Sequence, residues 1–318
     1  MNLKSKLIFL SIYFVSISVF SQNVWSPDES MKIKSISQTD ISNDGKRVAY
    51  VVREAIMERK KSEYISQIWV TNVDTKENTQ YTFNSKSSNS PKFSPDGKKI
   101  AFLSSRSGKN QIWIINTLGG EPRKVTEEKK GVSSIQWSPD GKNISFLKSD
   151  DDTEEETKSK EDKTDVILVD KNFKYSHIYT YSFLEDTVHQ ITKGSFTVNN
   201  YNYSPDGKKI IFSHQEDTNI NTGFINTDIS IIDSNGDNLK NLVIRPGLDS
   251  NPIFSGDGKK FAFISSGGNE EPIGLRDVHI YNLKDNKIVK LSNTPNRDSR
   301  IVSWTTDNKM LIISENIK

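Results

Sequence analysis

One pentapeptide recurs along this chain and sets the period of its fold. It reads Ser-Asn-Asp-Gly-Lys at Ser42, Ser-Pro-Asp-Gly-Lys at Ser94, Ser138 and Ser204, and Ser-Gly-Asp-Gly-Lys at Ser255. A worn copy, Thr-Thr-Asp-Asn-Lys, starts at Thr305. The starts are separated by 52, 44, 66, 51 and 50 residues. Proline at the second place fixes φ and opens a turn, aspartate can bond the backbone further on, and glycine takes a positive φ at no steric cost. Each copy is followed by a short apolar strand: RVAYVV from Arg47, KIAFLS from Lys99, NISFLK from Asn143, KIIFSH from Lys209, KFAFIS from Lys260 and KMLIIS from Lys309. Phe93, Trp137, Tyr203, Phe254 and Trp304 each stand one place before a copy. Strand, tight turn and strand make a hairpin.

A second element lies downstream of each of the first five copies, starting at Gln67, Gln111, His177, Asp228 and His279. Four of these segments run 16 residues and the last runs 14, and each reads as two short strands around a polar turn. Four antiparallel strands per repeat of about 45 to 50 residues mark a β-propeller blade. A single blade cannot bury both faces alone, so blades stack around an axis. The sequence therefore predicts an all-β fold, a β-propeller of four-stranded antiparallel blades, five complete plus a partial sixth that lacks its outer hairpin. An unpaired edge and exposed apolar surface are expected near Met310 to Ser314. Residues Gln22 to Ser37 offer one strand that could complete the last blade.

Composition excludes several alternatives. The 318 residues contain no cysteine, which removes disulfide scaffolds, thiolate metal sites and cysteine nucleophiles together. Lys and Arg number 43 against 41 Asp and Glu, a balance that argues against a nucleic-acid binder. Hydrophobic residues make up 33%, a low value that half-buried strands with one polar face would produce. At the start, Lys4 and Lys6 precede an apolar run from Leu7 to Phe20, and Val19 and Ser21 stand at the −3 and −1 places of a cut before Gln22. This is the pattern of a secretory signal peptide. The run of 14 residues is short of the roughly 20 that span a bilayer. Expected domains are thus a signal peptide over 1–21 and the propeller over 22–318, with a flexible acidic insert at about 149–165. The expected location is periplasmic or secreted, with no membrane span.

The Ser-Pro-Asp-Gly-Lys turn followed by Ile-Ala-Phe resembles the TolB-type, WD40-like repeat. The order of motifs from Trp25-Ser-Pro-Asp through VAYVVREAIMERKKSEYISQIWV to SPKFSPDGKKIAFLSSRSGKNQIWIINTLGGEPRKVT resembles more specifically the N-terminal propeller of the prolyl oligopeptidase (S9) serine peptidases, in the acylaminoacyl-peptidase and dipeptidyl-peptidase branch. In that family a propeller of seven or eight blades caps an α/β-hydrolase domain and restricts entry to small peptides. The nucleophile elbow G-x-S-x-G does not occur in this sequence. Ser266 precedes Gly267 and Gly268 but lacks the glycine two places earlier, and it follows a blade strand. The resemblance implies the propeller portion of such a peptidase, cut short before its catalytic part and inactive alone. The alternative is a stand-alone, six-bladed, TolB-like propeller that scaffolds a periplasmic protein partner.

No catalytic, cofactor or metal residue is assigned from the sequence. Asp150, Asp152, Glu154 and Glu161 fall near EF-hand spacing, but Glu155 stands where the loop requires glycine. The run Asp150–Asp162 therefore reads as a solvated loop inserted in blade three, and Asp233 to Asp237 as a hairpin turn. The four histidines are His177, His189, His214 and His279. His177 and His279 are read at the same register of the second element, so they would diverge around the axis rather than converge on a metal. Trp69, Trp113, Trp137 and Trp304 recur in phase with the repeat and read as packing between blades. In the dipeptidyl-peptidase branch, propeller glutamates hold the substrate amine. Glu54 and Glu58 could reach the central cavity, but no motif here matches that pair, and an exposed loop is the simpler expectation.

Overall fold

The pentapeptide explains itself at atomic scale. In the five serine copies the Ser Oγ donates to the Asp Oδ1 two places on at 2.6 Å. The same carboxylate oxygen accepts the backbone N–H of the following lysine at 3.0–3.1 Å. The Ser Oγ in turn accepts the N–H five places on, closing the turn onto the next strand. The worn copy keeps these bonds, with Thr305 Oγ1 donating to Asp307. Hydrogen bonds from the hydroxyl and the lysine N–H hold Asp44, Asp96, Asp206, Asp257 and Asp307 below the usual carboxylate range. At Asp140 burial pushes upward, but the donors from Ser138 and Lys142 outweigh it.

The protein is described by a computed structural model covering residues 26–58, 61–164, 172–270, 274–291 and 299–315. The signal segment and the predicted cut between Ser21 and Gln22 lie outside the described residues. Blade one comprises β1 (Ser35–Ile41), β2 (Arg47–Glu58), β3 (Lys61–Asn72) and β4 (Asn78–Gln80). Blade two comprises β5 (Ser88–Phe93), β6 (Lys99–Ser104), β7 (Gln111–Asn116) and β8 (Arg123–Lys124). Blade three holds β9 (Ser133–Trp137), β10 (Asn143–Ser149), β11 (Ser176–Ser182) and β12 (Thr187–Gln190). Blade four holds β13 (Thr197–Tyr203), β14 (Lys209–Gln215), β15 (Asn226–Asp233) and β16 (Lys240–Val243). Blade five holds β17 (Gly247–Phe254), β18 (Lys260–Ser265), β19 (Asp277–Asn282) and β20 (Lys287–Lys290), and a hairpin follows of β21 (Ser299–Trp304) and β22 (Leu311–Glu315). Within each blade consecutive strands pair antiparallel. Blades four and five are also joined by a short parallel bridge, Asn226 to Gly247 and Thr227 to Leu248.

The core is divided into seams between neighbouring sheets. Period-2 alternation sends Ile100 and Phe102 of β6 toward Ala49, Val51 and Ile68 of blade one. It sends Ala101 and Leu103 of the same strand toward Ile135, Ile144 and Phe146 of blade three. The pattern repeats between blades three and four, around Leu147 and Phe212. It repeats between four and five around Ile211 and Phe263, and between five and the hairpin around Ala262, Ile264 and Trp304. Second strands are consequently buried on both faces, as in β6, where every residue after Lys99 is buried. The expectation of half-buried strands therefore fails for these second strands, whereas β13 alternates buried with partly exposed residues along much of its length. The polar residues that lower the hydrophobic content sit in turns and loops and in the first and outer strands, such as SISQTDI in β1 and TVHQ in β12.

The turns stack along the same seams. A Cβ added at Gly141 would touch Pro95 of the preceding blade at 3.5 Å, one at Gly207 would touch Pro139 at 3.4 Å, and one at Gly258 would touch Pro205 at 3.5 Å. These glycines have φ between +67° and +72°, so they serve both the turn and the close approach.

Three further expectations are corrected. Ser35 to Ser37 pair with β2 inside blade one, Ser35 opposite Arg53, and do not extend a last blade. The fifth second element begins at Asp277, because Ser265 pairs with Asp277 as Ser104 pairs with Gln111. Counted from Asp277 that element has 16 residues like the others, and His279 stands two places past the register of His177. The acidic insert, read as a loop, carries α2 (Glu154–Glu161) behind a capping box of Thr153 and Glu156. The other two helices among the described residues are short, α1 (Pro27–Met31) and α3 (Thr222–Ile225). Met310, Ile312 and Ile313 are exposed, as are Ile36 and Ile41 in β1.

Candidate functional site

The first strand of every blade breaks register within the six residues before its turn. Shifts occur between Ser37 and Asp40, Asn89 and Lys92, Val198 and Asn200, Ser250 and Ile253, and Ile301 and Ser303, with the equivalent break in β9. Gln38, Ser90, Ser134 and Asn251 take positive φ there, between +50° and +53°. Each bulge frees backbone groups from the ladder and bends the inner strand. Neighbouring blades use those groups. Gln38 Oε1 accepts the N–H of Ser90 at 2.7 Å, and Asp40 Oδ2 accepts that of Phe93 at 2.8 Å. Asn202 Oδ1 accepts the N–H of Phe254 at 3.0 Å. In the other direction the indole N–H groups of Trp137 and Trp304 donate to the carbonyls of Lys92 and Ile253, each at 3.0 Å. Gln136 Nε2 donates to the carbonyl of Tyr201 at 2.7 Å. Tyr201 is buried, so its hydroxyl, which donates to the Ser134 carbonyl at 2.6 Å, is held far above its ordinary pKa. A belt of side chain to backbone bonds thus runs from blade to blade.

Inside this belt lie two adjoining cavities of about 660 Å³ each, which share Gln136, Asn200, Tyr201 and Asn202. One is walled by blades one to four and contains Asp40 and Lys92, which pair at 3.1 Å. The other is walled by blades three to five and β21 and contains Arg276 and Arg300. Polar side chains on a rigid, apolar-backed wall can orient an extended ligand by hydrogen bonding. The sequence signal for this site was present: the residue four places before each of the first five turns is polar, namely Gln38, Ser90, Ser134, Asn200 and Asn251.

The residues weighed in the sequence fall elsewhere. Glu54 and Glu58 lie within β2 rather than in a loop, and Glu54 pairs with Lys34 at 2.6 Å. His177 is buried against Thr192 Oγ1 at 3.3 Å, and desolvation lowers its pKa. His214 meets Ser230 Oγ at 2.8 Å, and burial pushes its pKa down to about 4. His279 lies at the blade-five seam, with its pKa lowered first by burial. His189 pairs with Glu185 at 2.5 Å on the surface. Asp152 is clamped by Lys130 at 2.6 Å and Lys160 at 2.8 Å, and those bonds take its pKa down to about 2. Asp150 accepts the N–H of Tyr175, so the acidic insert spends these two carboxylates on its own fold. Ser266 Oγ accepts the N–H of Leu248 and donates to the carbonyl of Asn269, bracing a loop. Asp233 receives Lys209 and Asn238 in a hairpin turn. Trp113, Trp137 and Trp304 pack at the blade seams.

Antiparallel four-stranded sheets stacked face to face, with polar inner strands, define a protein of the β-propeller class. Its sequence matches the family described as "Tricorn protease N-terminal beta propeller domain" over residues 63–166. It is 35% identical over 81 residues to the uncharacterized peptidase YuxL of Bacillus subtilis (strain 168), a match covering 26% of this chain and 12% of that protein. Among solved structures it resembles an acylaminoacyl peptidase in complex with Z-Gly-Gly-Phe-chloromethyl ketone, with a TM-score of 0.63 and 19% identity. That likeness covers 87% of this chain and 42% of the peptidase chain. A putative TolB from Agrobacterium tumefaciens matches with a TM-score of 0.55 and 19% identity, over 81% of this chain and 80% of that one. The chain resembles the propeller of the S9 peptidases, built from TolB-like repeats. Among the described residues no helix is long and apolar enough to cross a membrane.

Proposed function

We propose that this chain works as the propeller portion of an exported S9-type serine peptidase. In this reading it admits peptides along the hub and positions them for a hydrolase domain that the 318 residues do not contain. The observation that carries the reading is the hub itself. Its inner strands spend their bulges on a polar wall around two joined cavities, which is more than packing alone requires. The sequence likeness to a named peptidase supports the same direction.

Reading the gene past Lys318 tests the proposal directly. A continuing frame with a further blade and G-x-S-x-G supports it. An immediate stop, together with capture of a defined protein partner by the purified chain, favours the TolB-like scaffold instead. The isolated chain is expected not to hydrolyse aminoacyl or dipeptidyl chromogenic substrates. Measurable cleavage would overturn the proposal. Export is tested by fractionation and by N-terminal sequencing, with Gln22 expected as the first residue.

A further inference from the structure

We propose that the outer corner of the seam between blades four and five is a binding site for a small aromatic compound. The site shares no lining residue with the hub cavities and does not depend on the peptide-positioning role. The argument begins with register. Five places past the start of each turn stand Arg47, Lys99, Asn143, Lys209, Lys260 and Met310. Three of the cations in this set lie over a ring of the next sheet. The Arg47 guanidinium carbon is 5.6 Å from the Phe93 ring centroid, and Lys260 Nζ is 4.7 Å from that of Trp304. Lys99 Nζ is 5.6 Å from the Phe183 ring centroid. That ring stacks in turn on Trp137, with centroids 5.5 Å apart and planes inclined by 16°. The corner between blades two and three is thus filled by a ring that has a cation and a second ring against it.

Blade five repeats these surroundings without the ring. Leu283 N–H donates to the Lys259 carbonyl at 3.0 Å, as Phe183 N–H donates to that of Lys142 at 3.1 Å, so leucine stands in the place of Phe183. Phe254 stands in the place of Trp137, one residue before the turn. The Tyr281 hydroxyl donates to Asn286 Oδ1 at 2.8 Å, as that of Tyr181 donates to Asp186. Lys209 stands in the place of Lys99 and pairs with Asp233 at 2.6 Å. It lines a cavity of about 820 Å³ together with Ile231, Leu242, Phe254 and Leu283. Phe254 is the single aromatic among the described lining residues. Between blades three and four, Asn143 and Ser234 hold the places of the cation and of Phe183, so that seam offers neither. Blades four and five keep the cation and the stacking partner and leave the place between them open. Cavities lined by Leu, Ile and Phe take up aromatic molecules, and a cation at the mouth favours an electron-rich ring such as indole. The volume falls within the roughly 300–1,000 Å³ of small-ligand pockets, so the fitting occupant is a free compound that carries the ring.

Ligand-observed NMR titration of the full chain tests the site. The probes are indole, benzyl alcohol and cyclohexylmethanol, the last two being the aromatic and saturated versions of one shape. Indole is expected to bind most tightly, and benzyl alcohol at least about threefold more tightly than cyclohexylmethanol. Leu283→Phe supplies the ring from within, so it should abolish indole binding and raise the melting temperature. Lys209→Gln should weaken indole about threefold and leave cyclohexylmethanol unchanged. Equal binding of benzyl alcohol and cyclohexylmethanol, or no binding of indole, would overturn the assignment. Unchanged indole affinity in Leu283→Phe, or in Lys209→Gln should the first variant not fold, would overturn the placement in this seam.

Discussion

The two ends of each blade follow opposite rules. At one end the first strand turns into the second through the same five residues, with the same three hydrogen bonds and a glycine near φ +70°. At the other end the second strand passes to the third through connections with nothing in common. Blade one extends β2 and β3 as a long ribbon paired out to Glu58 and Lys61. Blade two uses a short loop in which Arg106 donates to Ser104 and Ser88 and lies 4.8 Å from the Trp113 ring centroid. Blade three inserts α2, and blade four inserts α3. Stacking imposes uniformity at the first end, because Pro95, Pro139 and Pro205 each fit under the glycine of the next turn. The second end carries no such demand, so chain length and chemistry can vary there at low cost.

That contrast predicts a graded series of stability effects. The largest is at the uniform end. Gly207→Val must place a branched side chain at φ +72° against Pro139, and a loss of about 2 kcal/mol in urea unfolding is expected. A change within error would break the claim that the turn is constrained. The next effect is acid sensitivity. The folded pKa values of Asp44, Asp96, Asp206, Asp257 and Asp307 are lowered. Their contribution is therefore full above the unfolded value of about 4 and is lost as pH falls through the lower folded values. The melting temperature should drop across that window, and Asp206→Asn should reduce the slope of the drop. The smallest effect is at the variable end. Replacing 154–161 with a short Gly-Ser link removes a helix with no buried residue and should change stability by less than about 1 kcal/mol. A larger loss would mean that the insert supports the blades.

Sequence made the turns and strands legible because both depend on local, repeated chemistry. The Ser, Asp and Gly of each copy do locally what their types predict. The pairing of the two elements follows from alternation. What escaped was set by neighbours distant in sequence. Nothing local at Gln38 or Ser90 announces a positive φ, because neither is glycine. Their conformation is held by a bond between blades, from Ser90 N–H to Gln38 Oε1. The shifted start of the fifth second element escaped because His279 mimics His177, and only the pairing of Ser265 with Asp277 exposes the offset. Glu155 ruled out a calcium loop, yet the capping box of Thr153 and Glu156 was also in plain view and specified a helix.

The belt at the hub bears on how such a chain can lengthen. Asp40 completes the backbone of Phe93, and Asn202 completes that of Phe254, so the group that finishes one inner strand is encoded in the repeat before it. A duplication that copied a lone repeat would bring an unmatched donor or acceptor to the axis. The smallest inheritable module is the junction between two sheets, and gain or loss of repeats in such genes should respect that boundary.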